Sequence, residues 1–497
     1  MLFNYPSLSV KSKRSQSALE YMMTYGWAIL IIVIVAVILY SMGIFNPSSS
    51  VTFTSSGFSP FTVSSSLCNN IGYKIAVLAG PIPNNANSLT INKVYLTSAT
   101  GANTTTASYT LTNPVTLKSG QSATILIPNV ACNSANTHYS LSAKIQYSYD
   151  VPTIGLQTVN TTGTVAGTSI TGKPSTLTTY EPITITNTQS SATPSPFQQM
   201  INFTSSDPGF SSIATGNFGQ NVEFFYYNGT IIPSWLESYT STNAIWWLKI
   251  AAIPAGSSET VYVGFAQAST NLFNTVNDGE APQLSPTYAE YDDGASVFNN
   301  YWNFAGSSLP SGWAVTPSTA SAPSVNNGAT ISSGVQIETT SKIVPIQGIT
   351  EMYIYLTTVG VGGMLNAVDI DGNDYTASPS GWVTSSSSTG RVYYGQVLDL
   401  RNNGASNTNY QASWSPTSIT VPTSASNYYL MGMSVQSNGY FWENYNLEGT
   451  TTTDIPPAGN YYLTLGSDGA SFTVYWVRVR AYPPNGVMPS VTFGSVA

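Results

Sequence analysis

Charged side chains are scarce in this chain of 497 residues, at 7% of the sequence against the roughly 25% that is usual for soluble proteins. Only 14 residues are Lys or Arg, and the formal net charge is −8. No basic stripe follows residue 14, which excludes duplex nucleic acid as an expected partner. Hydrophobic residues still make up 42%, and Ser, Thr, Asn and Gly fill the polar positions. This combination indicates strands that face water on one side.

Histidine is nearly absent, since His138 is the only one in the sequence. A Ser-His-Asp or Cys-His site would have to use it, but no acidic residue lies near it in the sequence. We therefore interpret His138 as an exposed turn residue. The motifs of zinc peptidases, thiol redox proteins and nucleotide-binding proteins are missing as well, so the sequence gives these activities no support.

A long apolar run is present near the N-terminus, where no charged residue occurs from Met22 to Phe45, a stretch of 24 residues. As a helix this run would be about 36 Å long, which is enough to cross a bilayer. Lys11, Lys13 and Arg14 precede it, and the next basic residue is Lys74. The positive-inside rule therefore predicts that everything after the run lies outside the cell.

The same segment resembles the class III signal peptide of archaeal type IV pilin-like proteins, in which a basic leader is cut before a Gln and a Glu stands four residues later. The resemblance implies that a prepilin peptidase cuts between Ser15 and Gln16. It also implies that Glu20 pairs with the N-terminal amine of a neighbouring subunit when helices pack into a filament core. Ser15 and Ala18 depart from the residues most common in that family. The alternative is an uncleaved signal anchor.

Cysteine occurs twice, at Cys68 and Cys132, both in the region predicted to be extracellular. An even count outside the cytoplasm predicts a disulfide, which would stabilise its domain by about 4 kcal/mol. Two buried free thiols are the alternative. Asn and Ser flank both positions, which argues against a place in a core.

Period-2 alternation predicts β-strands after the breaker at residues 46–50. The clearest is Tyr139–Tyr149, and residues 122–128 repeat the pattern. These strands predict a small β-sandwich over 51–170, which looks like the sandwich head of archaeal pilin-like proteins. Four sequons in the predicted exterior are candidate glycosylation sites, at Asn103, Asn160, Asn202 and Asn228.

A second β unit is predicted over 179–270, with strands at 182–188, 222–228, 245–250 and 259–265. It resembles a domain of unknown function found on many archaeal and bacterial surface proteins. The resemblance is carried by Trp235-Leu236-Glu237, the pair Trp246-Trp247 and a Pro-Ala-Gly turn. In such proteins a concanavalin-like jelly roll often follows.

The remaining β sequence, 285–484, has the size of a two-sheet jelly roll. Strands are predicted at 288–304, 391–400, 428–437 and 472–482. Glycosidases of this fold usually carry their acids alternating on one strand, and that pattern is missing here. We therefore predict that the protein is not an enzyme. Aromatic side chains that could stack on sugars include Tyr393, Tyr394, Tyr440 and Trp442, although such residues also fill jelly-roll cores.

Two acidic clusters remain to be explained. Asp369, Asp371 and Asp374 could ligate calcium, but a hairpin with an Asp-Gly turn explains the same residues and is favoured. No other cofactor is expected. The second cluster, which consists of Glu290, Asp292 and Asp293, is interpreted as a solvated strand end.

The sequence thus predicts a mostly β protein with an N-terminal hydrophobic helix and tandem β-sandwiches. The predicted parts are a basic leader (1–15), a transmembrane or filament helix (16–45), a small β-sandwich (51–170), a domain of unknown function (179–270) and a concanavalin-like jelly roll (285–484). The expected function is that of a pilin-like structural or adhesive protein of the cell surface, in the membrane or in a filament. Its expected partners are membrane lipid, the prepilin peptidase, other pilin-like subunits and surface glycans. A membrane-anchored glycan-binding adhesin without filament assembly is the alternative.

Overall fold

The computed structural model of the chain is mostly β, as predicted, and consists of several antiparallel sheets. It describes residues 25, 26, 29, 31, 33, 53–104, 108–128, 130–132, 134–315, 321–332, 335–345, 347–358, 365–371, 395–400, 407–411, 413–417, 426–451, 458–466 and 471–497. Two compact units divide the chain, Met1–Gly172 and Lys173–Ala497.

The predicted N-terminal helix, 16–45, lies outside the described residues except at positions 25, 26, 29, 31 and 33. The processing residues Ser15 and Gln16 and the assembly residue Glu20 also lie outside them. Within the described parts of the chain, no helix has both the length and the apolar character that a membrane span requires.

The first unit is a β-sandwich. Its strands are β1 (Thr54–Gly57), β2 (Phe61–Cys68), β3 (Tyr73–Ala79), β4 (Leu89–Thr100), β5 (Asn103–Thr104), β6 (Ser108–Leu117), β7 (Ser122–Ile127), β8 (Val130–Ala131), β9 (His138–Val151) and β10 (Gly155–Thr168). A five-stranded sheet in the order β1-β10-β9-β4-β6 packs on a three-stranded sheet in the order β2-β3-β7. The predicted strand at Tyr139–Tyr149 is the centre of β9, and its Tyr, Leu, Ala and Ile side chains alternate into the core.

Cys68 and Cys132 form a disulfide in this unit. Both are almost fully buried in the core between the two sheets, so the expectation that polar neighbours keep them out of a core is wrong. The alternation of β2 explains the burial of Cys68, because every inward position of that strand is buried whatever its neighbours are.

The second unit begins with another β-sandwich. Its strands are β11 (Thr179–Asn187), β12 (Phe197–Thr204), β13 (Val222–Tyr226), β14 (Ser234–Tyr239), β15 (Asn243–Ile250), β16 (Ser257–Phe265) and β17 (Asp278–Glu280). One sheet has the order β12-β15-β14-β17. The other has the order β13-β16-β11 and is completed by the last strand of the chain, β34 (Ser490–Phe493), which pairs with β11.

Two further sheets build the rest of the second unit and face each other across one apolar core. Their first strands are β18 (Asn300–Trp302), β19 (Trp313–Val315), β20 (Ser324–Val325), β21 (Ala329–Ile331), β22 (Gln336–Thr339), β23 (Val344–Pro345), β24 (Ile349–Thr358) and β25 (Leu365–Asp371). The later ones are β26 (Gly395–Leu400), β27 (Asn407–Gln411), β28 (Ser413–Thr417), β29 (Asn427–Val435), β30 (Gly439–Glu443), β31 (Asn446–Thr451), β32 (Asn460–Gly466) and β33 (Ser471–Arg480). One sheet is centred on β33-β24-β29 and the other on β32-β25-β26. The prediction of a β-sandwich here is confirmed.

The chain between the two sandwiches of the second unit differs from the prediction. Residues 288–304 are not one strand, since they contain a single-turn helix, α1 (Gly294–Val297), followed by the short strand β18. Asp292 explains the break, because its carboxylate accepts the backbone N–H of Gly294 and so fixes a bend where the strand was expected. Single-turn 3-10 helices occur at Pro83–Asn85, Phe210–Ser212 and Pro484–Gly486.

Candidate functional site

The two tryptophans of Trp246-Trp247 point to opposite faces of β15. Trp246 packs into the core of the first sandwich of the second unit, whereas Trp247 packs into a separate cluster with Trp235 and Trp476. The sequence dictates this arrangement, because successive side chains of a strand alternate between the faces of a sheet. The second cluster joins the two sandwiches of this unit through aromatic side chains.

A buried ion cluster lies against these tryptophans. The Arg478 guanidinium donates to a Glu237 carboxylate oxygen at 2.6 Å and to a Glu351 oxygen at 2.6 Å. Arg480 donates to the other oxygen of Glu351 at 2.8 Å. Two carboxylates and two guanidinium groups therefore balance each other's charge in the interior.

Aromatic groups complete the surroundings of this cluster. The Arg478 guanidinium carbon lies 4.6 Å from the centre of the Trp247 ring and 4.8 Å from that of Trp476. The Trp247 indole N–H donates to Glu237 at 2.7 Å, and the Tyr445 hydroxyl donates to the same carboxylate. These contacts explain why Trp235-Leu236-Glu237 and Trp246-Trp247 occur together in the sequence.

The carboxyl group of Glu351 is held ionised by its partners. Burial alone would raise its pKa, but Arg478 and Arg480 outweigh that effect and lower the pKa to about 2. Because Glu351 is only 3% exposed, water does little to screen these attractions.

Two acids of the cluster at 290–293, Asp292 and Asp293, are not exposed to solvent as the sequence had suggested. Asp293 is 2% exposed, and the Asp292 carboxylate accepts hydrogen bonds from Trp235 Nε1 at 2.9 Å and Asn303 Nδ2 at 2.7 Å. A side chain at Gly279 would begin 2.1 Å from Asp293 Oδ1, so only glycine fits beside this carboxyl group. The interpretation as a solvated strand end is therefore wrong for Asp292 and Asp293, because β17 and α1 pack over them.

Burial changes the protonation of these acids. It raises the pKa of Asp293 to about 9, with Asp292 and Asp278 adding repulsion. Burial likewise raises the pKa of Asp278 to about 8, with repulsion from Glu223 as the next cause. Both groups therefore hold a proton more readily than an ordinary carboxyl group does. No group of three acidic, histidine or cysteine side chains able to hold a metal ion occurs among the described residues.

A cleft lies where the two sandwiches of the second unit meet. It has a volume of about 710 Å³. Its lining residues are Ala192, Pro194, Asn299, Pro345, Gln347, Gly348, Gln436, Ser437, Tyr440, Ala481, Tyr482, Pro483, Pro484 and Asn485. Their side chains are aromatic, amide, hydroxyl or aliphatic, so the described lining carries no charged group.

Two aromatic rings, those of Tyr440 and Tyr482, line this cleft. Tyr440 on β30 stacks against Trp442, with ring centres 5.9 Å apart, and its ring centre lies 6.2 Å from that of Tyr482. Tyr440 and Tyr482 are half-buried, so they present part of each ring to the cleft. The turn after Tyr482 is tight, because Gly486 has a φ of +75° and a side chain there would begin 2.7 Å from the Tyr482 hydroxyl.

Amide groups border the same rings. Gln436 Nε2 donates to the backbone oxygen of Gln347 at 2.6 Å and to Ser434 Oγ at 3.0 Å. Asn485 Nδ2 donates to Gln189 Oε1 at 3.0 Å. These bonds hold the amide side chains in place before any ligand arrives, which lowers the entropic cost of binding.

The structure describes some of the other predicted site residues. Asn103, Asn160, Asn202 and Asn228 are all exposed. His138 is exposed too, as the first residue of β9.

Other predicted site residues are described only in part or not at all. Asp369 and Asp371 lie on the backbone of β25, but their side chains and the whole of Asp374 lie outside the described residues, and so does the calcium prediction. Tyr393 and Tyr394 also lie outside them.

Comparisons with known proteins give few relatives. No family model matches the sequence. The chain is 30% identical over 352 residues to uncharacterized protein 562 of Sulfolobus islandicus rod-shaped virus 1, a match that covers 62% of this chain and 58% of that protein.

Among solved structures, two glycoside hydrolase family 16 enzymes of Bacteroides ovatus are similar over 36% of this chain and 99% of theirs. One is a mixed-linkage glucan enzyme in complex with a product, at 11% identity and a TM-score of 0.25. The other is an endo-glucanase, at 12% identity and a TM-score of 0.23. Likeness at this level carries no conclusion about fold or activity.

Proposed function

We propose that the protein is a cell-surface protein that binds glycans in the cleft around Tyr440. The observation that carries the proposal is the cleft itself, in which aromatic faces and fixed amides border an uncharged space of about 710 Å³. Sugars present apolar ring faces to aromatic side chains and hydroxyl groups to amides. The cleft volume falls within the range of about 300–1,000 Å³ that is typical of ligand sites.

Binding is favoured over hydrolysis at this cleft. A glycosidase needs two carboxyl groups that flank the scissile bond. The described lining contains Asn, Gln, Ser and Tyr side chains instead, and none of its residues carries a carboxyl group. We therefore propose a binding protein rather than an enzyme.

The full-length protein in detergent should bind at least one of a panel of neutral tetrasaccharides, namely cello-, laminari-, manno- and chito-tetraose, in isothermal titration calorimetry. Tyr440→Ala should weaken that binding about tenfold or more, because it removes one of the two aromatic rings that line the cleft. Tyr95→Ala, at a half-buried tyrosine on β4 of the first unit, is the matched control and should bind as the wild type does. Equal affinity in Tyr440→Ala and wild type would exclude the cleft as the glycan site.

We further propose that residues 16–45 hold the protein at the surface, in the membrane or in a filament of pilin-like subunits. Support comes from the uncharged run and from the resemblance carried by Gln16 and Glu20. The disulfide in the first unit and the exposure of the four sequon asparagines suit a position outside the cell.

Mass spectrometry of the mature N-terminus, with and without the host's prepilin peptidase, tests the anchoring proposal. A peptide that begins at Gln16 and is lost without the peptidase supports the pilin-like route. A chain that still begins at residue 1 in both hosts contradicts it and favours a signal-anchored adhesin.

A further inference from the structure

The first unit has a strand edge that is only partly covered. β10 pairs with β9 along its whole length, from Gly155 to Thr168, without a shift in register. On its other side β10 pairs with β1, but only from Gly163 to Ala166. The remainder of that side, residues 155–162, has no strand beside it among the described residues.

The end of β1 has a local cause at Phe58, the residue that follows the strand. Phe58 has a φ of +66°, so the chain turns away from β10 at this point. Its side chain is 1% exposed and fills the space that a side chain at Gly163 would need. Its N–H donates to the backbone oxygen of Thr162 at 2.9 Å. The core contact of Phe58 therefore limits how far β1 can cover the edge.

The backbone groups of the uncovered segment point away from the sheet. Successive residues of a strand turn their N–H and C=O groups to opposite sides, so Thr158 and Asn160 turn theirs to the same side as Thr162. The backbone groups of Thr158 and Asn160 meet no partner within the described part of the chain. Such a row of unpaired groups is a template for another β-strand.

This edge lacks the features that usually keep strands from pairing. β10 contains neither a charged residue nor a proline, and its pairing with β9 has no bulge. The opposite edge of the same sheet is β6, which contains Pro114 and pairs with β4 through a shifted register. Charges, prolines and bulges are the common means by which soluble proteins block an exposed edge. The sheet is therefore protected at β6 and available for pairing at β10.

The composition of the β10 edge suits a second copy of the same strand. Two copies bring no like charges together, because the strand is neutral. Thr158, Thr162 and Thr164 are exposed on one face of the strand, and pairs of threonines across antiparallel strands are favourable. Leu156 is 69% exposed, and a strand beside it would remove part of its apolar surface from water.

We propose that two copies of the protein associate through this edge, by antiparallel pairing of residues 155–162 about a two-fold axis. The pairing joins the five-stranded sheets of the two copies into one continuous sheet. The axis passes through Thr158 or Val159, at the middle of the uncovered segment. In either register Thr158 of one copy lies opposite or diagonal to Thr158 of the other. An interface of one strand pair is small, so the association depends on protein concentration.

Hydrogen–deuterium exchange followed by mass spectrometry tests the proposal on the full-length protein in detergent, at about 1 µM and about 100 µM. The amides of Thr158 and Asn160 should exchange about fivefold more slowly, or slower still, at the higher concentration, because pairing gives them acceptors. Association through residues 16–45 alone would leave exchange in this segment unchanged, so the readout is specific to the edge.

Substitutions at Thr158 test whether the occupant is a second copy. Thr158→Lys and Thr158→Glu each place like charges across the axis, so each should lose the concentration dependence. An equimolar mixture of the two variants should regain it, since opposite charges then meet. Thr158→Val keeps the backbone N–H and the side-chain shape, and is the matched control that should behave as the wild type does. Thr158 is exposed, so circular dichroism should show the same unfolding temperature for all variants.

Three results would overturn self-pairing. Exchange in residues 155–162 that is equally fast at both concentrations would leave the edge to a strand of another protein. Exchange that is equally slow at both would mean that another segment of the same chain covers the edge. Concentration dependence that persists in both Thr158→Lys and Thr158→Glu would place the contact between copies elsewhere.

Discussion

At the scale of single residues, Glu351 is a buried carboxylate of the second unit that holds two arginines. Its two oxygens accept hydrogen bonds from Arg478 and Arg480. Both arginines are buried, so water cannot replace the carboxylate as their partner. Glu351→Gln should lower the free energy of unfolding by about 3–5 kcal/mol, because it leaves buried guanidinium charge uncompensated. Urea denaturation followed by tryptophan fluorescence measures the change.

Glu259→Gln is the matched control for that experiment. Glu259 is an exposed carboxylate on β16, and its substitution should change the free energy of unfolding by less than about 0.5 kcal/mol. A cost for Glu351→Gln as small as this would mean that the buried cluster does not stabilise the fold.

The sequence allows prediction at the residue level where the pattern is local. The alternation of side chains along a strand is enough to place Trp246 and Trp247 in two different layers. The contact of Arg478 with Trp247 and Glu237 could not be predicted. Arg478 lies 241 residues beyond Glu237, and local sequence patterns carry no information about so distant a contact. Tyr440 could be proposed as a sugar-stacking residue, but the amide of Gln347, which is far from Tyr440 in the sequence, could not be placed beside it. The Pro-Pro-Asn-Gly turn at residues 483–486 was a signal for the edge of the cleft.

At the scale of elements, strands were predicted well and their pairing was not. The run 259–265 is the main part of β16, as its apolar alternation suggested. No sequence pattern, however, shows that β34 returns to pair with β11 across roughly 300 residues. Pairing depends on the register of whole sheets, which is set by the core.

The disulfide gives an element-scale prediction. It closes a loop with a sequence separation of 64 residues, so replacing both cysteines with serine should cost the first unit about 4 kcal/mol. Every tryptophan but Trp27 lies beyond residue 172. The loss should therefore appear as an earlier transition in far-ultraviolet circular dichroism, while the tryptophan fluorescence transition stays at its wild-type position. A shift of the fluorescence transition by the same amount would show that the two units unfold together.

At the scale of the whole molecule, buried carboxyl groups set the response to pH. Burial raises the pKa of Asp293 to about 9, that of Asp278 to about 8 and that of Glu280 to about 7. A raised folded-state pKa contributes stability that is fully present below the unfolded pKa, which is near 4 for these side chains. That stability is lost as the pH rises towards the folded value, because the unfolded chain ionises first.

Glu351 acts in the opposite direction, since its folded pKa is lowered to about 2 and its contribution disappears only as the pH falls below about 4.5. The two effects together predict that the protein is most stable near pH 4 and weakens steadily towards pH 8. Each of these buried acids lowers the free energy of unfolding as the pH rises from its unfolded pKa towards its folded pKa. Scanning calorimetry from pH 3 to pH 8 measures this decrease, and Asp293→Asn, which cannot ionise, should remove one such contribution. An unfolding temperature that is constant or rises from pH 4 to pH 7 would mean that these carboxyl groups are ionised in the folded protein.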